Sequence, residues 1–280
     1  MKLSEIQRRL SERGIRLTKS LGQNFLHDGN QLGRIIRAAE LREDDRVLEI
    51  GPGLGALTSY LLEAGAWVLA IEKDGRLAKC LRERLGTVGR LELVETDAVD
   101  YLKEPGRSWA GWKMISNLPY SAGSAILVEL GLNPSGPDRM VATLQLEVIE
   151  RLVARAGDAN YGLLTVLMGM NYEVRGWFKV PAACFFPVPE VDSACVTLAR
   201  REHRLLRAER TETFVRIVKR GFSQRRKMLL KLLRQDWPES AVEQAFCDLG
   251  LASGIRAERV GIEQWAALTE SLDTSGERRE

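Results

Sequence analysis

The chain predicts an α/β architecture: a doubly wound, largely parallel sheet ending in an antiparallel hairpin, followed by a small all-α domain. Three observations carry that expectation. Short apolar runs recur between Arg46 and Leu146 with amphipathic helical stretches between them, the βαβ alternation of a parallel sheet. A glycine-rich turn follows the first of those runs directly. From Arg200 to Arg234 the composition shifts to helical patterning with thirteen Lys or Arg and only three acids, Glu202, Glu209 and Glu212.

The elements follow in order. The opening MKLSEIQRRLSERG is charged and helix-like, without the apolar core of a signal peptide. The first 27 residues hold Lys2, Arg8, Arg9, Arg13, Arg16 and Lys19 against Glu5 and Glu12. A helix is expected around 28–40. Buried strands then read RVLEI (46–50), WVLAI (67–71), LELVE (91–95), WKMIS (112–116) and MVATLQL (140–146), with ALTSYLLEAG and GRLAKCLRERLG as intervening helices. YEVRGWFKV (172–180) and SACVTLAR (193–200) form the closing strand pair, joined by the proline-rich CFFPVPEVD. Helical patterns at 211–235, 239–248 and 258–271 are separated by the turn signals DWP and LASG. The expected division is a first domain over 1–204 and a small helical domain over 205–280, with DTSGERRE frayed at the end.

Bulk composition narrows the function classes. A length of 280 residues with 45% hydrophobic content supports a full core, and a net charge of +3 says little about partners. Four cysteines without a CxxC, and only His27 and His203, argue against a zinc site, a disulfide framework or a histidine-based metal centre. No run approaches the roughly 18 apolar residues of a membrane span. A cytoplasmic protein without metal or membrane attachment is expected.

After the first strand comes Glu49-Ile50-Gly51-Pro52-Gly53-Leu54-Gly55-Ala56. Glycines here let the backbone turn tightly and approach a ligand before the next helix begins. Glu72 ends the second strand, about twenty residues on, where a ribose-binding acid sits in nucleotide folds. These features alone fit a dinucleotide and S-adenosylmethionine equally. Two carboxylates tilt the choice. Glu49 can receive a cationic amino group, directly or through water, whereas it repels a pyrophosphate. Asp97, after the third strand, is placed to accept a hydrogen bond from an adenine amino group. Three acids at the ends of successive strands, on the crevice side, make S-adenosylmethionine the better ligand of a Rossmann-like sheet.

The fourth strand ends in Asn117-Leu118-Pro119-Tyr120 beside that crevice. The exocyclic amino group of a nucleobase is a poor nucleophile because its lone pair is delocalised into the ring. Acceptors for its protons favour a tetrahedral nitrogen. The Asn117 side-chain carbonyl and the Leu118 main-chain carbonyl can supply them, with Pro119 fixing the turn. Tyr120 can stack on a base taken out of its helix.

LTKSLGQNFLHD (17–28), LEIGPGLGALT (48–58), Glu72, Asp97, SNLPY, FFPVPEVDSACV (185–196) and GFSQRRKML (221–229) occur in that order. Together they resemble the KsgA family, the S-adenosylmethionine-dependent ribosomal small-subunit RNA adenine dimethyltransferases, from about Leu17 to about Trp265. The resemblance implies that Asn24 and Leu26 cover the cofactor with Gln23 beside them, and that Gly51 and Gly53 approach its methionine part. Glu72 would hold the ribose hydroxyls, Asp97 the adenine amino group, and Ala98 would line the adenine. Asn117 would touch both cofactor and target nitrogen, and Phe185 would stack opposite Tyr120. The implied reaction places two methyl groups on each of two adjacent adenines in a hairpin near the 3′ end of 16S rRNA, in the small ribosomal subunit or its precursor, with a link to late subunit assembly. Three departures stand out: SAGSAI after NLPY, and Leu146 and Glu190 where the family commonly has lysine.

In RRKMLLKLLR (225–234), helical spacing brings Arg226, Lys227 and Lys231 together beside an apolar stripe of Met228, Leu229, Leu232 and Leu233. With Arg225, these cations are the candidate phosphate-binding surface, and Arg8, Arg9 and Arg13 are expected to extend it. A monomer working on a ribosomal particle is the default expectation. The rival readings are a 23S rRNA adenine N6-methyltransferase of the macrolide-resistance type, a non-catalytic assembly factor on the same fold, and a nicotinamide-dependent dehydrogenase. The last leaves NLPY unexplained.

Overall fold

A computed structural model of the chain describes residues 1–17 and 22–273. Lys19 and part of the LTKSLGQNFLHD motif lie outside the described residues, as does the tail expected to fray beyond Asp273. The chain divides into two compact units: Met1–Ile149 with Val174–Arg200, and Glu150–Glu173 with the chain from Arg201 onward. The expected single boundary near 204 therefore differs in one segment, since 150–173 joins the C-terminal helices.

In the first unit, α1 (Leu3–Glu12), β1 (Phe25–Leu26) and α2 (Gly29–Ala39) precede the alternation. There follow β2 (Arg46–Ile50), α3 (Ala56–Glu63), β3 (Trp67–Glu72), α4 (Gly75–Leu85), β4 (Leu91–Glu95), α5 (Ala98–Lys103), β5 (Trp112–Asn117), α6 (Gly123–Leu132) and β6 (Arg139–Gln145). α7 (Leu146–Val153) leads out of this unit and β7 (Tyr172–Val180) leads back, before β8 (Phe185–Phe186) and β9 (Ser193–Arg200). The seven-stranded sheet has the order β4-β3-β2-β5-β6-β9-β7. Its first five strands run parallel, and β9 pairs antiparallel to β6, with Gln145 opposite Ser193. The central strands read as continuous apolar runs because helices cover both faces; after its first residue β3 is buried throughout. Chain order reverses between β2 and β5, so a crevice opens there at the carboxyl ends of the strands.

The ladder shows how the crevice opens. Pairing of β2 with β5 ends at Leu48 opposite Met114. Beyond it, the Ile50 N–H donates instead to the buried Ser116 hydroxyl at 2.8 Å. A side chain thus satisfies a backbone group that splaying strands leave unpaired. A second, two-stranded ribbon pairs β1 with β8, Phe25 opposite Phe186 and Leu26 opposite Phe185. Two-residue strands carry no periodicity, so this pairing leaves no sign in the sequence.

The second unit holds α8 (Leu163–Gly169), α9 (Thr211–Phe222), α10 (Leu229–Leu233), α11 (Glu239–Asp248) and α12 (Ile262–Asp273). Trp265, Phe214, Ile217, Leu232 and Leu268 are fully buried in it. The Tyr161 hydroxyl donates to the Val260 carbonyl at 2.7 Å, and Phe222 stacks 5.7 Å from the Trp265 ring. These contacts explain why 150–173 belongs with the later helices.

The continuous helix expected over 211–235 is broken after Phe222. The Ser223 hydroxyl donates back to the Arg220 carbonyl at 2.7 Å, and the Leu229 N–H donates to the Ile255 carbonyl at 2.9 Å instead of continuing a helical ladder. Arg225, Arg226 and Lys227 therefore sit on a turn, with Lys231 on the short helix beyond. The pattern at 258–271 likewise begins as a single 3₁₀ turn, and the helix runs from Ile262 to Asp273.

Candidate active site

The crevice in the first unit is lined by Gln23, Asn24, Leu26, Glu49, Gly51, Gly53, Glu72, Asp97, Ala98, Asn117 and Leu118. Every residue assigned to the cofactor from sequence thus meets in one cavity, although four strands and the β1 strap contribute them. Tyr120 and Phe185 are not in that lining.

Glu49 is 1% exposed, and its Oε2 has no hydrogen-bond partner. Burial without a cation pushes its carboxyl up to about 8. Glu72, also buried, accepts the Gly53 N–H at 3.0 Å on Oε2 and the Asp74 N–H at 2.9 Å on Oε1. Its carboxyl is raised by burial despite these donors. The acid at the end of β3 therefore also staples the glycine turn. At Gly53 the backbone is left-handed, and an added Cβ would lie 2.7 Å from the Phe25 ring. Only glycine lets the strap close over the turn.

Asp97 caps α5, accepting the Val99 N–H at 2.8 Å, while its Oδ2 accepts from Lys73 Nζ at 2.7 Å. The Lys73 ammonium holds its carboxyl below the ordinary range. Gln23 donates to Asp74 at 2.9 Å, and Asp74 also binds Arg76, which pulls its carboxyl down to about 2. Lys73 and Asp74 carried no motif of their own in the sequence. Their position beside the strand-end Glu72 was the one available signal.

At the end of β5, Asn117 Nδ2 donates to the Asn24 carbonyl at 2.8 Å, and its buried Oδ1 has no partner. The QNFL strap consumes the amide's donor and leaves its acceptor unused. The Leu118 N–H donates to the Thr143 carbonyl at 3.1 Å, and the Pro119 carbonyl accepts from Ala122 and Gly123 as the chain turns into α6. Tyr120 is half-buried, its hydroxyl bonded to that of Ser193, and burial raises its phenol above the usual range.

Phe185 stands differently from its expected stacking role. It is 1% exposed and packs in the core with Leu26, Ile115 and Val180. Pairing with β1 turns its ring inward, and neither face is open to a base. The departures Leu146 and Glu190 are half-buried and exposed, respectively.

In the second unit, Arg225, Arg226, Lys227 and Lys231 are exposed and form no ion pair among the described residues. Neighbouring cations are neutralised: Arg220 by Asp236 at 2.6 Å, and Arg234 by Glu239 and Glu243. The N-terminal arginines do not extend the free charge. Arg9 pairs with Glu5 at 2.9 Å, Arg8 lies 3.9 Å from Glu12, and Arg13 pairs with Glu83. Among the described residues no cluster of three metal-ligating side chains occurs, and no helix is long and apolar enough to cross a membrane.

A parallel sheet with a glycine turn, three strand-end acids and an amide at its switch point defines an α/β protein of the Rossmann-like, nucleotide-cofactor class. The model of the family described as ribosomal RNA adenine dimethylase matches residues 14–274, and the chain belongs to that family. It is 37% identical to the ribosomal RNA small subunit methyltransferase A of Syntrophus aciditrophicus, over 95% of this chain and 98% of the relative. The protein of the same name from Magnetococcus marinus is 39% identical over 92% and 93%. Among solved structures, the 23S rRNA methyltransferase ErmE is 34% identical with a TM-score of 0.66, covering 89% of this chain and 99% of its own. A dimethyladenosine transferase from Plasmodium falciparum, 24% identical, shares the fold with a TM-score of 0.74 over 90% and 98%.

Proposed function

We propose that this chain transfers methyl groups from S-adenosylmethionine to the N6 amino groups of two adjacent adenines in a hairpin near the 3′ end of 16S rRNA. It would act as a cytoplasmic monomer on the small ribosomal subunit or its precursor, late in assembly. The Asn117 amide carries this reading. With Nδ2 held by the Asn24 carbonyl, the unpartnered Oδ1 demands a donor. An adenine N6 amino group is such a donor, whereas a keto oxygen at the same place would be repelled.

The residues present fit the cofactor. The orphaned Glu49 Oε2 suits a cationic amino group, and an ammonium beside it would restore the carboxylate. Glu72 retains lone pairs for ribose hydroxyls while holding the turn, and Gly51 and Gly53 allow close backbone approach. Asp97 serves the adenine amino group once Lys73 shares or releases Oδ2, with Ala98 against the ring and Gln23, Asn24 and Leu26 forming the cover. When bound, S-adenosylmethionine supplies a methyl group made electrophilic by its sulfonium.

Asn117 Oδ1 and the Leu118 carbonyl accept the two N6 protons, drawing the nitrogen towards a tetrahedral geometry with its lone pair free. The methylated ammonium is acidic enough to lose a proton to water, so no buried base is required. Tyr120 supports the base from one face; Phe185, enclosed in the core, takes no part. Arg225, Arg226, Lys227 and Lys231 hold phosphates, a role consistent with their lack of acidic partners.

The relatives named small subunit methyltransferase A support the 16S substrate over the 23S alternative, which rests on the likeness to ErmE. Labelled S-adenosylmethionine offered to unmodified small and large subunits separates the two, with primer extension locating the label. Four methyl groups on two adjacent adenines of the small-subunit hairpin are expected. Label confined to large-subunit RNA, or tight cofactor binding with no transfer, would overturn the assignment.

A further inference from the structure

The first residue of β9, Ser193, is fully buried and does not line the crevice, yet its hydroxyl meets that of Tyr120. The segment around it is fixed on both sides. The Asp192 carbonyl accepts the Leu146 N–H at 2.9 Å, its side chain accepts the Ala182 N–H at 3.1 Å, and Ser193 pairs with Gln145 across the sheet. The backbone at Tyr120 is equally constrained. Leu118 is tied to Thr143, and Gly22 packs so closely that a Cβ there would lie 3.1 Å from the Tyr120 nitrogen. The tyrosine backbone is thus held by the strap and β6, and the far end of its ring by β9.

We propose that Ser193 is a positioning residue for methyl transfer: its hydroxyl anchors the Tyr120 phenol so that the ring lies where the target base must stack. The inference rests on the stacking role assigned to Tyr120 above. Structural need alone does not account for the pair. A buried β9 residue satisfies the core equally well as alanine, and a half-buried ring at this turn packs equally well as phenylalanine, so packing requires neither hydroxyl. Instead, a buried hydroxyl meets the far end of the ring of a residue in the NLPY turn. Burial keeps the phenol protonated across the working pH range, so the bond persists there.

The test is a double-mutant cycle on the full chain with unmodified small subunits as substrate. Ser193→Ala and Tyr120→Phe each remove the bond while keeping the ring. Each is expected to lower the rate of methyl transfer at saturating cofactor by ~5–10-fold, the scale of one hydrogen bond left incomplete. The double variant is expected to be no slower than the slower single one. Cofactor affinity by calorimetry stays unchanged, and a slowly exchanging phenol proton resonance of the wild type disappears in both single variants. Multiplicative losses in the double variant, wild-type rates in Tyr120→Phe, or a parallel fall in cofactor affinity would overturn the proposal. Tyr120→Ala isolates the underlying reading: wild-type methylation there would remove the stacking role itself, whatever the cycle gives.

Discussion

The crevice and the cationic turn of the second unit hold their polar groups in opposite ways. In the crevice, Glu49 and Asn117 each bury an oxygen without a protein partner, a cost that a bound donor or cation offsets. On the turn, Arg225, Arg226 and Lys227 are exposed without acidic partners among the described residues, Arg225 donating to the Ala159 carbonyl at 3.0 Å, and an exposed unpaired charge costs little. The first arrangement selects a small ligand by its donors and charge. The second attracts any phosphate chain, weakly per residue and strongly in sum. Chemistry and affinity are therefore expected to fail separately when each region is altered.

The largest effect is expected at Asn117. Replacement by alanine removes an acceptor used most strongly as the nitrogen becomes tetrahedral, lowering turnover by about 10²–10³, while RNA affinity stays within a few-fold. A comparable loss of RNA affinity would blur the two regions into one.

Neutralising Arg225, Arg226 and Lys227 together gives the converse. RNA affinity falls, and the log–log salt slope flattens by about 2–3, with cofactor affinity untouched. Filter binding across a salt series reads it. The paired arginines of α1 sharpen the contrast: Arg8→Ala with Arg9→Ala should change the slope less, since each has a carboxylate beside it, Glu5 at 2.9 Å from Arg9 and Glu12 at 3.9 Å from Arg8.

A smaller, pH-dependent effect belongs to Glu49. Its carboxyl is raised from 4.5 to about 8 in the folded chain, so the folded state holds a proton that the unfolded state loses. Stability from this group is full below about 4.5 and declines as pH rises through about 8. Without cofactor, denaturant midpoints should fall over that window, and less steeply in Glu49→Gln. Cofactor binding should release a proton near neutral pH, read by calorimetry in buffers of different ionisation enthalpy.

Much of this was legible in the sequence. RVLEI, LELVE, YEVRGWFKV and SACVTLAR match their strands residue for residue: RVLEI and SACVTLAR are buried inside the sheet, while LELVE and YEVRGWFKV are its partly exposed edges, where polar and apolar residues mix. Glu49, Glu72, Asp97 and Asn117 meet because each ends a strand at the same edge of the sheet. What failed was fixed by contacts between distant segments. Phe185 turns inward because β8 pairs with β1, and no local pattern encodes a two-residue ribbon. The helix through Arg225 breaks because Leu229 finds the Ile255 carbonyl, some way along the chain. Arg13, just past α1, looked like free charge because its partner Glu83 lies far away in sequence, whereas the partners of Arg8 and Arg9, Glu12 and Glu5, are one helical turn away. Counting cations in a sequence gives charge; only the fold gives the charge left over.

In the proposed reaction the unpartnered Asn117 oxygen activates the target amino group. Single-turnover methyl transfer by Asn117→Ala, with cofactor and small subunits both saturating, tests it most directly when both affinities are measured alongside. The expected rate is lower by about 10²–10³, with both affinities within a few-fold of the wild type. A rate within a few-fold of the wild type at saturation would contradict it, and would make Asn117 a residue that closes the strap.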